Sequence, residues 1–212
     1  MNHRDRPTVI LASRNRKKVR ELAELLSGLE VGLVSAADFQ QAPEVEETGR
    51  TFAENAVLKA ATVAAATGRW TLADDSGLAV DTLDGAPGVY SARYAGPQSN
   101  DVQNNEKLLV QLRDVPEPHR GAQFVCCLAL ADPAGRIRVQ VEGHCRGRLL
   151  FEPRGENGFG YDPLFWIAEY HQTFAELSLA VKSVLSHRAR AFERLRPELA
   201  RLIAAGELEF GL

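Results

Sequence analysis

A helix with both ends written into the sequence, followed at once by a short apolar run, constrains this fold more than any other stretch. In "TFAENAVLKAATVAAATG" (51–68) Thr51 and Glu54 have the spacing of a capping box, alanine is abundant, and Gly68 supplies a stop. "WTLAD" (70–74) then reads as a buried strand that delivers Asp74 and Asp75 to its carboxyl end. A capped helix feeding a buried strand is a unit of a sheet with helices packed on its faces.

The flanking segments extend that pattern. "TVILAS" (8–13) is a short β-rich run, "RNRKK" a polar and basic loop, and "VRELAELLSGL" a helix whose Val19, Leu22, Leu25, Leu26 and Leu29 fall on one stripe. "EVGLVSAADF" (30–39) predicts the next strand, and the acidic, Pro-containing loop "QQAPEVEETGR" follows it. A polar-faced helix with Leu108, Leu109 and Leu112 is expected around 100–113. The segment 122–144 holds two β-rich runs around "DPAG", a hairpin signal, and "RGRLLFEP" is read as continuing the sheet. At "TFAEL" Thr173 and Glu176 repeat the capping-box spacing and predict a further helix, and Pro197 marks a kink or restart in the last one. Strands alternate with helices early and form a hairpin late, so the expected class is α/β with a mixed central β-sheet flanked by helices.

Composition narrows the function. With Lys plus Arg at 25 and Asp plus Glu at 28, the net charge of −3 argues against a chain that grips nucleic acid over a broad face. Cys126, Cys127 and Cys145 have neither zinc nor redox spacing and read as core residues of a protein in a reducing cytosol. No apolar run is long enough for a secretory segment or a membrane span, so the 212 residues read as a complete cytoplasmic protein with no membrane partner. Neither a Walker A loop nor a GxGxxG fingerprint is present.

Candidate chemistry gathers where ligands collect in α/β sheets, outside the carboxyl ends of strands. There the first strand puts "SRNRKK": Ser13 and Asn15 can bond phosphate oxygens, the next helix start offers N–H groups, and Lys18 adds a point charge. Taken alone this is a solvated basic loop. Isolated carboxylates in its company suggest a hydrated magnesium bridging acid and phosphate. Because neighbouring strand residues face opposite ways, one of the Asp74–Asp75 pair meets the ion, and Asp75 is the choice; Glu47, before Thr48 and Gly49, is its partner. Glu44, Glu46 and Glu47 otherwise read as surface acids. Lys59 lies four residues after Asn55, with a helix-surface lysine as its default reading. In "NGFGYDP" (157–163) Gly158 and Gly160 free the backbone around Phe159 so that an aromatic can slide over a flat ring, and Asp162 can read a base edge. Lys182, His187 and Arg188 crowd donors near a helix, and His187 with Arg188 can present N–H groups to a ring carbonyl, although each alone reads as a surface helix charge or a satisfied core histidine.

Taken together, "SxNxxK" at 13–18, "EETG" at 46–49, "TFAENAVLKA" at 51–60, "ADDSGLAVDTLDGAPGVYSARYAG" at 73–96, "GFGYDP" at 158–163 and "KSVLSHR" at 182–188 closely resemble the inosine and xanthosine triphosphate pyrophosphatase family. The match runs in order through nearly the whole chain. It implies one bilobed domain over residues 1–212, with a twisted sheet and two lobes around a substrate cleft, acting as a homodimer. It also implies magnesium-dependent hydrolysis of ITP, dITP and XTP to the monophosphate and pyrophosphate, clearing deaminated purines from the nucleotide pool. By the same resemblance Ser13, Arg14, Asn15, Arg16, Lys17 and Lys18 hold the triphosphate, Glu47 and Asp75 bind magnesium, and Asp75 accepts the proton. Ser76 touches substrate, while Phe159, Gly160, Tyr161, Asp162, Lys182, His187 and Arg188 line the nucleotide pocket. The chain departs from the family pattern at Lys17, where glycine is frequent, and at Val181, where an acid commonly precedes Lys182. Two other classes compete with this reading: a catalytically silent nucleotide-binding protein, disfavoured because Glu47 and Asp75 are both present, and a nucleic-acid binder using "RNRKKVR", disfavoured by the net charge.

Overall fold

The computed structural model describes residues 7–29 and 31–208. Residues 1–6 and 209–212 lie outside the described residues, as does Glu30 at the head of the expected second strand. Among the described residues seven strands, β1 (Thr8–Leu11), β2 (Gly32–Ser35), β3 (Thr71–Val80), β4 (Gly121–Ala131), β5 (Ile137–Leu149), β6 (Phe165–Ile167) and β7 (Gln172–Thr173), form one sheet in the order β2-β1-β3-β4-β5-β6-β7. Pairing of β1 with β2 and β3 is parallel, and that of β5 with β6 and β6 with β7 is antiparallel, so the sheet is mixed as expected. Its helices are α1 (Arg16–Leu26), α2 (Phe52–Thr67), α3 (Asp101–Gln111), α4 (Leu179–Leu185) and α5 (His187–Ala204).

Helix ends follow the local chemistry. Asn15 caps α1, its side chain accepting from Lys17 and Lys18 N–H, and Leu22 and Leu26 are buried one turn apart. Thr51 caps α2 by accepting Glu54 N–H, while the Glu54 carboxylate accepts Arg50 N–H rather than that of Thr51. Gly68 ends α2 at φ +63°, a left-handed conformation that costs glycine nothing. The turn between β4 and β5 is built on Asp132, whose carboxylate accepts Ala134 and Arg136 N–H.

Two compact units divide the chain: residues up to Asp75 with Cys126–Gly143 and Arg188 onward, and Ser76–Val125 with His144–His187. Each has its own core. In the first, Leu22, Leu72, Leu128, Leu130, Phe192 and Leu195 pack together; in the second, Leu78, Leu108, Phe124, Leu164, Phe165 and Phe174 do. Each fully buried side chain of this size contributes about 2 kcal/mol of transfer free energy. The three cysteines are buried, as expected of core residues, and none forms a disulfide among the described residues.

Three expectations need correction. β3 does not stop at Asp74 but continues to Val80, with Leu78 and Val80 buried in the second core. Its neighbour β1 ends instead, at Leu11 paired with Leu72, so the two aspartates lie just beyond the carboxyl end of β1. "TFAEL" starts no helix. Thr173 N–H does donate to the Glu176 carboxylate, but Phe174, Ala175 and Leu177 are held in the core and the Thr173 hydroxyl donates to Arg154 C=O. Only a turn results, and α4 begins at Leu179 behind a Ser178 cap. Finally, β5 ends at Leu149, so the sheet takes only the first half of "RGRLLFEP".

Candidate active site

In the first unit, alternation along β3 sends the adjacent aspartates to different partners. Asp75 accepts a 2.6 Å bond from the Lys59 ammonium and a 3.3 Å bond from the Asn55 amide, both from α2. The same Lys59 nitrogen donates to Glu47 at 2.8 Å and to Asp74 C=O at 3.0 Å. Two carboxylates from separate segments thus converge on one cationic centre. Glu47 is half-buried while its neighbours Glu44 and Glu46 are exposed, so the extended loop turns this acid inward and leaves the others to solvent. Asn55 holds that loop in place, because its Oδ1 accepts Gly49 N–H at 2.8 Å while its Nδ2 reaches Asp75.

Lys59 was expected on the helix surface and is 8% exposed. The signal was present: Ala56, Ala60 and Val63 share the buried stripe of α2 with it, and a lysine among alanines on such a stripe needs a carboxylate partner. Burial alone would lower its pKa, but Asp75 and Glu47 outweigh that and raise it. For Asp75 burial comes first and raises the pKa, Lys59 opposes the rise, and Glu47 adds to it.

Asp74 belongs to a separate network. Its carboxylate, 1% exposed, accepts from Lys18 at 2.7 Å, from Arg188 Nε at 2.8 Å and from the Cys126 thiol at 3.2 Å. Burial would raise its pKa, yet Arg188 and Lys18 together hold it well below the ordinary carboxylate range. Arg188 is itself 2% exposed and also pairs with Glu21, one turn after Lys18 on α1. The Arg188 guanidinium, expected in the nucleotide pocket, pairs with two carboxylates of the first unit.

Around Lys18 the basic segment is largely open: Arg14, Asn15, Arg16 and Lys17 are exposed, Ser13 and Lys18 half-buried. Asn15, expected to bond phosphate, caps α1 through its Oδ1, and the Ser13 hydroxyl accepts Asn15 N–H at 3.2 Å. Those bonds shape a turn that presents Arg14, Arg16 and Lys17 outward.

The second unit collects the remaining candidates. Ser76 continues β3 from Asp75 and is half-buried. In the aromatic loop the Asp162 carboxylate accepts Phe159 N–H at 2.9 Å and the Lys182 ammonium at 2.7 Å, and that ammonium lies 5.8 Å from the Phe159 ring centroid. A Cβ on Gly158 would meet Asp162 Oδ2 at 2.0 Å, so glycine is required there for closure as well as for its φ of +78°. Tyr161 turns inward and donates from its hydroxyl to Ser91 C=O at 2.9 Å. His187 stacks on Phe124 with ring centroids 4.8 Å apart.

Among the described residues no group of three or more His, Cys, Asp or Glu side chains forms a metal cage. Magnesium does not need one, since it keeps several waters and takes one or two carboxylates. Glu47 and Asp75, both within 3 Å of one ammonium, fit that requirement.

The Ham1 family profile matches residues 9–198, nearly the whole chain. This chain belongs to the Ham1 family. It is 52% identical over 195 residues to a dITP/XTP pyrophosphatase of Rhodopirellula baltica, covering 92% of this chain and 94% of that one. It is 53% identical over 194 residues to one of Desulforamulus reducens, covering 92% and 96%. Among solved structures, a HAM1 protein from Coxiella burnetii superposes with a TM-score of 0.83 at 41% identity, over 92% of this chain and 98% of that one. A dITP/XTP pyrophosphatase from Mycobacterium abscessus gives 0.72 at 46%, over 90% and 99%. The α/β class and the mixed sheet are those of this family's structures.

Proposed function

We propose that this protein hydrolyses dITP, ITP and XTP to the nucleoside monophosphate and pyrophosphate. The observation that carries the reading is the meeting of Glu47 and Asp75 at one cationic centre, in a chain about half identical to dITP/XTP pyrophosphatases. When bound by these two carboxylates, magnesium would neutralise the polyphosphate and polarise the phosphoryl group under attack. Lys18, on the first turn of α1, adds positive charge for the triphosphate, and the exposed Arg14, Arg16 and Lys17 draw it in. Asp75 accepts the proton of the attacking water. Its pKa, raised by burial against the opposing pull of Lys59, makes it a better base than an ordinary carboxylate.

On the base side, Phe159 supplies a ring face, and Lys182 and His187 supply donors for a 6-oxo group. Adenine puts an amino group at that position, so donors aimed there stay unpaired; a site built this way can discriminate by roughly 10⁴-fold. In this reading Arg188 positions the site by holding Asp74 rather than touching the base. The same reading includes a homodimer in the cytoplasm, supported by the family resemblance; no described helix is long and apolar enough to cross a membrane.

The test is a panel of nucleoside triphosphates assayed with and without magnesium, identifying the released anion. Pyrophosphate from dITP, ITP and XTP far above ATP is expected, and orthophosphate, or equal rates on ATP, would refute the proposal. Asp75→Asn should reduce turnover by at least about 100-fold with an unchanged circular dichroism spectrum. A variant that still released pyrophosphate at the parental rate would remove Asp75 as the base, and nucleotide binding with no turnover by the parent protein would favour a silent binder.

A further inference from the structure

The loop at 158–162 contains two glycines with positive φ, +78° at Gly158 and +62° at Gly160, and such a segment is the least able to hold a ring in place by itself. Recognition of a flat base gains from a loop already ordered before the ligand arrives. Order here comes from outside the loop. On α3 the Asp101 carboxylate accepts Gly160 N–H at 2.8 Å, and the Asn105 amide, one turn later, donates to Gly160 C=O at 2.8 Å. The two peptide planes flanking the Gly160 Cα are thus fixed separately, which sets the φ and ψ that glycine leaves soft. Phe159 immediately precedes this point, and its own N–H is tied to Asp162.

Neighbouring polar residues of α3 serve other parts of the fold. Asn100 and Gln103 close a capping box, and Asn104 binds Ala92 C=O, Ala95 N–H and the Ser99 hydroxyl. Asp101 and Asn105 reach the aromatic loop, and the Asn105 amide also donates to Asp101 C=O at 2.8 Å, which ties the two residues of the pair together.

We propose that Asp101 and Asn105 are positioning residues for base selection, clamping the Gly160 main chain so that the Phe159 ring and the Asp162–Lys182 pair are preset for a 6-oxopurine. This rests on the proposed function above. The test separates base recognition from phosphate recognition by using IMP and AMP as binding probes in calorimetric titrations, with inhibition by inorganic tripolyphosphate as the measure of the phosphate side. Asp101→Ala and Asn105→Ala should each weaken IMP binding about five-fold, the change that one ordinary hydrogen bond represents, with AMP and tripolyphosphate unaffected. Asp101→Asn keeps an acceptor oxygen and should bind IMP like the parent, whereas Asn105→Asp replaces the donor with a second acceptor and should be worse than Asn105→Ala. Asp101 is exposed, so its variants should fold, and melting temperatures would verify this. Unchanged IMP affinity in both alanine variants, a parallel loss for tripolyphosphate, or an Asp101→Asn variant as weak as Asp101→Ala would overturn the inference alone. A parent protein that binds AMP as well as IMP would overturn the base-selective reading, and this inference with it.

Discussion

Asp74 and Asp75 are chemically identical neighbours with opposite environments. Asp75 sits with one ammonium and a second carboxylate; Asp74 is sealed between two cations and a thiol. Their variants should therefore differ in kind. Asp75→Asn is a chemical change. Asp74→Ala strips a buried guanidinium of one of its two carboxylates, and removing one partner from a buried pair is expected to destabilise the protein by about 3 kcal/mol. Urea titration measures this, and a midpoint unchanged from the parent would show that Glu21 alone satisfies Arg188. The alternation that separates the two aspartates was readable from sequence, since strand residues face opposite ways. Which faced which partner was not, because Lys18, Lys59 and Arg188 reach them from 15 to 114 residues away.

At the scale of elements, the site depends on how α2 begins. Gly49 lies against Asn55, and a Cβ there would stand 2.6 Å from Asn55 Oδ1 and 2.8 Å from Glu54 Cβ. Gly49→Ala should push the Glu47 loop off α2 and reduce kcat/KM by more than about ten-fold with a melting temperature lowered by only a few degrees. Equal activity would show that the loop adapts.

The hairpin turn offers a separate test on stability. Burial would raise the Asp132 pKa, but the main-chain and side-chain donors of Arg136 and the Ala134 N–H outweigh it and lower it. A carboxylate depressed in the folded state stabilises fully above its unfolded pKa of about 4, and loses that contribution as pH falls through the lower folded value. Asp132→Ala should cost about 1–2 kcal/mol at pH 7 in urea unfolding, with the gap to the parent narrowing toward pH 3. A constant gap would assign the effect to turn geometry and not to charge. The turn, the capped α2 and the stripe of α1 were all legible because their signals are local. "TFAEL" misled because its capping bond forms while core burial of Phe174 and Leu177 prevents the helix it usually announces.

For the whole molecule, β3, β4 and β5 each supply residues to both compact units, so one sheet serves two cores. The net charge of −3 outweighs the exposed Arg14, Arg16 and Lys17 as a guide to partners. The protein should elute from a duplex-DNA column below about 0.1 M salt, since few phosphate contacts give weak and strongly salt-sensitive binding. Retention at twice that concentration would revive the nucleic-acid reading of "RNRKKVR".

By itself the sequence determined the α/β class, the capped helices, the hairpin and the family motifs, because each is fixed by neighbours within a turn or a strand. Tertiary structure alone decided that Lys59 meets Glu47 and Asp75, that Arg188 is engaged by Asp74 and Glu21, and that α3 holds the Gly160 peptide. Periodicity can bury a charge but cannot name a partner far along the chain; that is set by which opposite charge the packed core leaves within reach.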